Sequence, residues 1–397
     1  MSVKIYNLLS IKLFEDANVV AGNNGLDNEI KRINFADCPM PEDILSSGLI
    51  EKGDLFINSL YVVKEDEDKL YEFIKAYISC GCAGTFVITA YIHELPQKVI
   101  DLCNENNFPV VFIDSLIPYA EIIKTTMEMI LADKSDTISE MRIEKLLEND
   151  VSNKTIIKTA SELNKCFRQY YATIYIRIFD IVNPKIQLLI SNIKRISNIE
   201  LIKFRNGLFL ITNFDKISTL DSELSQIELI VNKYFANYNI GVSNVFSEIG
   251  QFNNCIKQAM LSNDISNVIN SKIVHYKDIN VYKILYPLKG TENLQDFYDD
   301  IMKPLVDYDN HYDKFELIKS IEAYLSNDGD FKKTAMHLNQ HENTVRYRIL
   351  KAKRILNLEN NNFKFIEQVS IAFKIKNILD IKWNFIQWCF SLSPTEC

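Results

Sequence analysis

Between Phe331 and Arg354 the chain carries seven basic side chains, Lys332, Lys333, Arg346, Arg348, Lys351, Lys353 and Arg354, against a single acid, Glu342. That segment is +6 inside a chain whose formal net charge is −8, the charge asymmetry expected of a local phosphate-binding surface. Phe331, Ala335 and Leu338 share one face of a short helix for which Asp330 is an N-cap. A three-residue polar turn, Asn339-Gln340-His341, leads into a second helix, so the pair reads as a helix-turn-helix. In the second helix Val345, Ile349, Ala352 and Leu356 recur at i, i+4, i+7 and i+11 and form a narrow apolar stripe for the core. Asn343, Tyr347, Lys351 and Arg354 fall opposite that stripe, with Arg346 and Arg348 on its flanks. Asn and Arg make bidentate contacts to adenine and guanine edges, and Lys, Arg and Tyr reach phosphates. The predicted DNA-contacting set is Lys332, Lys333, Thr334, Asn343, Thr344, Arg346, Tyr347, Arg348, Lys351 and Arg354.

Other chemistries find less support. Eight cysteines are scattered at 38, 80, 82, 103, 166, 255, 389 and 397, and the one close pair, Cys80-Gly81-Cys82, has a one-residue gap where zinc and redox motifs have two. They read as reduced thiols. Five widely spaced histidines form no metal-ligand cluster, and no cofactor is called for. The acidic run Lys64 to Lys69 reads as the first turn of an amphipathic helix burying Leu70, Phe73, Ile74 and Tyr77, not as a calcium loop.

The elements that position the basic segment follow from composition and periodicity. The 397 residues, 47% hydrophobic and 24% charged with only 11 Gly and 9 Pro, predict two or three folded domains and exclude fibrous or largely disordered classes. A net charge of −8 argues against coating nucleic acid or anionic membrane with the whole surface. No long uncharged apolar run and no signal-peptide pattern at Met1 to Ile5 predict a cytoplasmic protein without membrane contact. Residues 1–130 mix strand runs at 54–57, 84–89 and 108–113 with helical patterns and predict an α/β domain. Residues 131–165 read as a helical linker: the helix from Tyr119 to Asn149 has a polar interruption at Ala132 to Asp136 that marks the first domain boundary. Its apolar positions Ile123, Met127, Ile130, Met141 and Leu146 suit either a dimer seam or packing within the domain. Residues 166–285 read β-α-β-β-α-β-α-β, with a hairpin at Arg205-Asn206-Gly207, and residues 286–380 are all α. The tail 381–397 holds both tryptophans, Trp383 and Trp388, with Phe385, Ile386 and Phe390, and its role stays open between covering the helical domain and covering a partner subunit.

Phe331 to Ile349, with Thr334-Ala335 followed by His341-Glu342-Asn343-Thr344-Val345-Arg346-Tyr347-Arg348-Ile349, resembles the helix-turn-helix of PucR-type, or CdaR-type, bacterial transcription regulators. Met302 to Asp309 and Leu317 to Leu325 are similar to that family's lead-in. Ser2 to Leu9, Val20 to Ile30, Gly53-Asp54-Leu55 and Gly84 to Thr89 resemble its N-terminal sensory domain, and Ile240 to Ser243 with Cys255 to Ala259 its degenerate GGDEF-like domain. The fold class implied is multidomain: an N-terminal α/β sensory domain, a cyclase-like βαββαβ middle domain and a C-terminal helical DNA-binding domain. One departure stands at Glu342, where the family commonly has Arg; Asn339 and Glu342 read instead as a capping box, N-cap and N3.

An active cyclase would carry metal-binding carboxylates on its hairpin. Here the hairpin Arg205-Asn206-Gly207-Leu208-Phe209 has no acid, and Asp180, near Asn183-Pro184, reads as a turn cap. The expectation is therefore a non-enzyme: a ligand-responsive regulator of purine or other nitrogen-compound catabolism, binding a double-stranded DNA operator and an unidentified small-molecule effector as a homodimer or higher homo-oligomer. Two alternatives remain, a nucleotide-cyclase-like enzyme and a small-molecule binding protein whose basic helix docks a protein partner.

Overall fold

The computed structural model describes residues 2–36, 49–179, 183–196, 198–312 and 316–381, and the chain divides into two compact units, Met1–Ile138 and Ser139–Cys397. In the first unit, α1 (Ile5–Leu9) is followed by β1 (Asn18–Ala21), β2 (Arg32–Phe35), β3 (Asp54–Asn58), α2 (Glu67–Ser79), β4 (Gly84–Ile88), α3 (Gln97–Glu105) and β5 (Val110–Ile113). The sheet order is β1-β5-β4-β3-β2, with β2 to β5 parallel and β1 antiparallel to β5. The continuous apolar runs of β3, β4 and β5 are buried along their length, as a parallel sheet covered on both faces requires. In α2 the Asp66 side chain caps the Lys69 amide, and Leu70, Phe73, Ile74 and Tyr77 are buried as their spacing predicts. The edge strands β1 and β2 escape the sequence reading because four residues each, interrupted by Asn and Arg, give too little periodicity.

The helix α4 runs unbroken from Tyr119 to Leu147. The polar stretch at 132–136 does not interrupt it: no Gly or Pro breaks the ladder, and the polar side chains face solvent or back-bond, as Thr137 does to the Asp133 carbonyl at 2.9 Å. The boundary between the two compact units falls at 138/139, within this helix. Of the apolar positions on this helix, Ile130 and Leu146 are buried, Ile123 and Met127 pack on the first unit's core, and Met141 is 63% exposed.

The second unit adds α5 (Asn153–Leu163), β6 (Tyr170–Ile178), α6 (Asn183–Ile193), β7 (Ile199–Phe204), β8 (Gly207–Phe214), α7 (Thr219–Tyr234), β9 (Tyr238–Val242), α8 (Phe252–Ile265) and β10 (Ile273–His275). The strand and helix order matches the periodicity reading, and the sheet order is β10-β9-β6-β8-β7. Strands β6, β7, β8 and β9 pair antiparallel, while β10 joins β9 in parallel. Arg205 and Asn206 make the two-residue β7–β8 turn, with Arg205 in the left-handed region at φ 51°. Ile143, Leu146, Ile156, Ala160 and Leu163 lie in one core with Tyr171 and Tyr175 of the sheet. Gly241 is required by packing: a Cβ there would lie 2.1 Å from the Ala259 carbonyl oxygen of α8, which crosses β9 closely.

The remainder is helical: α9 (Tyr282–Leu285), α10 (Glu292–His311), α11 (Leu317–Ser326), α12 (Phe331–Leu338), α13 (Glu342–Ile355) and α14 (Asn362–Asp380). Ile375 and Ile378 of α14 share a core cluster with Ile265 and Val274 of the sheet layer and Tyr282, Leu285 and Tyr286 of the connector. The helical region is thus continuous with the middle sheet within one compact unit. No described helix is long and apolar enough to cross a membrane. Asp180, Cys38, Cys389, Cys397, Trp383 and Trp388 lie outside the described residues.

Candidate nucleic-acid interface

The turn between α12 and α13 is built by local chemistry. The Asp330 carboxylate accepts from the Lys332 and Lys333 amides at 2.8 and 2.9 Å, and Thr334 Oγ1 donates to the Asp330 carbonyl at 2.6 Å. The two backbone hydrogen bonds hold the Asp330 carboxyl below its ordinary range. Helix α12 ends where Asn339 takes φ 51°, and the Gln340 amide turns back to the Ala335 carbonyl at 3.0 Å. His341 then caps α13, its Nδ1 accepting from the Asn343 amide at 3.2 Å.

This geometry corrects the capping-box reading. Asn339 closes the first helix instead of opening the second, because its short side chain tolerates the left-handed conformation that ends α12. Glu342 is consequently the first residue of α13, and it pairs with Arg346 one turn on, at 3.0 Å to Nε and 2.7 Å to Nη2. The same guanidinium lies 4.5 Å from the centre of the Phe331 ring.

Val345, Ile349 and Ala352 are fully buried against Leu317, Ile321, Ala335 and Phe365, while Leu356, at the end of the stripe, is half-buried. On the opposite side Asn343, Arg346, Tyr347 and Arg354 are exposed, as are Lys332 and Lys333 at the start of α12; Thr344 and Lys351 are half-buried. Arg354 pairs with Glu359 at 3.0 Å, and the Lys351 ammonium lies 4.9 Å from the Tyr308 ring centre.

Two residues of the predicted set are not on this face. Thr334 is buried beneath the cap, and Arg348 is only 8% exposed, directed to Ser320 Oγ at 3.3 Å and Glu316 at 3.5 Å. Arg348 follows Tyr347 by 100° on the helical wheel, enough to swing it from the open face toward α11. Lys353, counted in the basic segment, is likewise buried, donating to Asn362 Oδ1 at 2.7 Å, and burial lowers its pKa from the ordinary lysine value. Leu350 is a residue the sequence reading missed. It is 48% exposed between Tyr347 and Arg354, and its spacing from Asn343 was the available signal. An apolar side chain there suits contact with a thymine methyl.

The face therefore presents an amide, a phenol, an apolar group and several cations on one helix of a size that enters a major groove. Its ion pairs are exposed, and such pairs are worth about 0–1 kcal/mol, so a phosphate can displace either carboxylate. Among the described residues no group of three or more His, Cys, Asp and Glu side chains could hold a metal. Cys82, Cys103 and Cys255 are buried, which raises their thiols to about 12, about 12 and about 11, so they serve packing and not nucleophilic chemistry.

Fold and face together define a helix-turn-helix protein joined to α/β domains. Residues 7–130 match the purine catabolism regulatory protein-like family, PucR, and residues 317–375 match the PucR C-terminal helix-turn-helix domain. Two curated proteins of Bacillus subtilis (strain 168) are similar to it. The purine catabolism regulatory protein is 28% identical over 139 residues, 35% of this chain and 25% of that protein. The proline-responsive transcriptional activator PutR is 20% identical over 384 residues, 90% of this chain and 87% of that protein. The match thus spans a quarter of the first relative's length and most of the second's. The crystal structure of a regulator of polyketide synthase expression from Bifidobacterium adolescentis aligns at 15% identity with a TM-score of 0.32, covering 62% of this chain and 99% of that one.

Proposed function

We propose that this chain is a cytoplasmic, ligand-responsive, sequence-specific transcription regulator that binds double-stranded DNA through α13. The observation that carries the reading is the exposed face of Asn343, Arg346, Tyr347 and Arg354 opposite a buried Val345-Ile349-Ala352 stripe, inside the matched helix-turn-helix domain. Asn343 reads a base edge from the helix N-terminal turn, where recognition helices contact bases. Arg346, Tyr347, Lys351 and Arg354, with Lys332 and Lys333 of α12, engage phosphates, and Thr344 supplies a hydroxyl at the rim. Thr334 and Arg348 act as supports beneath this face. Residues 1–130 sense an effector, and residues 166–285 form a degenerate GGDEF-like domain, supported by the strand order and by a β7–β8 turn without an acid. Two copies of the chain set two recognition helices about 34 Å apart, one helical repeat of DNA, and effector binding shifts the population between conformers that differ in that spacing. The names of the two curated relatives support target genes in purine or other nitrogen-compound catabolism.

A gel shift of the full chain on its own upstream region and on a scrambled duplex, at two salt concentrations, tests the reading. The expected result is retention that is specific and falls steeply with salt, and that Arg346→Ala weakens by about tenfold without lowering thermal stability. Retention absent even at low salt would overturn it in favour of a basic helix that docks a protein.

A further inference from the structure

A cavity of about 350 Å³ opens in the second unit between α8 and the connector that leads into the helical region, and among the described residues no Asp or Glu lines it. Phe246, Met260, Tyr276, Tyr286 and Pro287 give it an apolar wall. The two lysines of the lining turn their ammoniums to carbonyl oxygens outside it, Lys257 to that of Glu148 at 3.1 Å and Lys283 to that of Lys277 at 3.0 Å, so what they offer the cavity is mainly their aliphatic stems. The polar groups that remain are neutral. Gln251, the N-cap of α8, Asn254 and Gln258 recur at i, i+3 and i+7 and form a row of carboxamides along one face of that helix. Gln258 Oε1 accepts the Asn244 amide at 3.0 Å, which leaves Nε2, a donor, as the open end of that side chain. Asn254 stands exposed one helical turn before it.

The wall itself is fixed in place. Tyr286 is buried and donates to Asp264 Oδ2 at 2.7 Å, and Asp264 pairs with Arg177 of β6 at 3.0 Å. A mostly apolar cavity with a small number of oriented polar groups is the composition of a small-molecule site. With no carboxylate in the lining and both ammoniums turned to carbonyls outside it, a charged guest would lose its hydration without gaining a countercharge. We propose that this cavity binds an uncharged aromatic small molecule with an amide-like polar end, its ring against Tyr276 and Phe246, Gln258 Nε2 donating to its carbonyl and Asn254 accepting its N–H. Such a ligand touches both α8 of the sheet layer and the connector up to Pro287, so its occupancy bears on the joint that carries the helical region. The assignment is independent of the DNA-binding reading and of effector sensing by residues 1–130, because binding is measured without DNA and the site lies wholly in the second unit.

The probe is 2-naphthamide, titrated calorimetrically into the full chain, with 2-naphthoate, its isosteric anion, as the comparison. Saturable binding of 2-naphthamide is expected, with 2-naphthoate at least about tenfold weaker, which tests the preference for an uncharged guest without any substitution. Asn254→Trp, at the exposed rim, is expected to occlude the cavity. Gln258→Glu keeps an oxygen for the Asn244 amide and removes the Nε2 donor, and is expected to weaken 2-naphthamide binding at least about tenfold; thermal melts establish that both variants are folded. Binding of 2-naphthoate as tight as that of 2-naphthamide or tighter, no saturable binding of 2-naphthamide, or 2-naphthamide affinity unchanged in both folded variants overturns the proposal.

Discussion

Arg346 and Arg348 are two residues apart and alike in sequence, yet they do different work. Arg346 stands on the open face of α13, paired with Glu342 across one helical turn, whereas Arg348 is folded under the helix toward Ser320 and Glu316. Arg348→Ala is expected to destabilise the fold by about 1–3 kcal/mol in urea unfolding, because Ser320, wholly buried, loses its charged partner. An unchanged unfolding midpoint would return Arg348 to the DNA face. Glu342 acts in the opposite direction, holding Arg346 by an exposed ion pair. Glu342→Gln is expected to tighten DNA binding several-fold and to steepen the salt slope by about 1, with stability altered by less than about 0.5 kcal/mol. A large loss of stability would show that Glu342 is a structural cap after all. The periodicity could separate core from surface along α13 but could not see Ser320, which lies 28 residues away and waits at the side of the helix.

At the scale of elements, the recognition pair depends on how two short helices start and stop. Helix α12 has eight residues, too short to persist by propensity alone, so its Asp330 cap and its packing decide it. Because the folded carboxyl titrates below its unfolded value of 3.8, the cap's stabilisation is present above that pH and is lost as pH falls through the lowered folded value. Asp330→Ala is expected to lower the melting temperature at pH 7, and Asp330→Asn, which keeps the accepting oxygen, to recover most of it. The difference between the native chain and Asp330→Ala should shrink as pH drops below 3.8; a gap independent of pH would mean the carboxylate is not the cap. The start of α12 was legible in the sequence, since an Asp before an apolar-periodic run has few other readings. The start of α13 was not, because Asn339 suits both a helix N-cap and a left-handed C-terminal position, and only the backbone path chooses between them.

At the scale of the whole molecule, the middle sheet and the helix-turn-helix region do not stand apart. Ile265 and Val274 pack with Ile375 and Ile378 around the Tyr282 to Tyr286 connector, and the Arg177–Asp264–Tyr286 network is buried at that joint. Burial and its bond to Asp264 both raise the pKa of Tyr286, keeping the phenol a donor to the carboxylate throughout the physiological range. Tyr286→Phe removes one donor from a buried carboxylate and is expected to lower the stability of residues 139–397 by about 1–3 kcal/mol. Amide hydrogen exchange should then quicken in β6 and in α14 together. Faster exchange in only one of them would show that sheet and helices open separately.

Local chemistry was determined by sequence alone: the strand and helix order of residues 170–275, the buried face of α2, the Asp330 start of α12, and a basic segment inside an acidic chain. Each rests on residues within a turn or two of one another, where spacing is geometry. Tertiary structure decided what depends on neighbours distant in the chain. It ran α4 unbroken through a polar stretch, packed Ile143, Leu146, Ile156, Ala160 and Leu163 against the middle sheet, buried Thr334 and Arg348, and left a cavity between α8 and the connector. A side chain's periodicity says which way it points from its own helix; whether it meets solvent, a partner or a cavity there is set by the elements that pack against it.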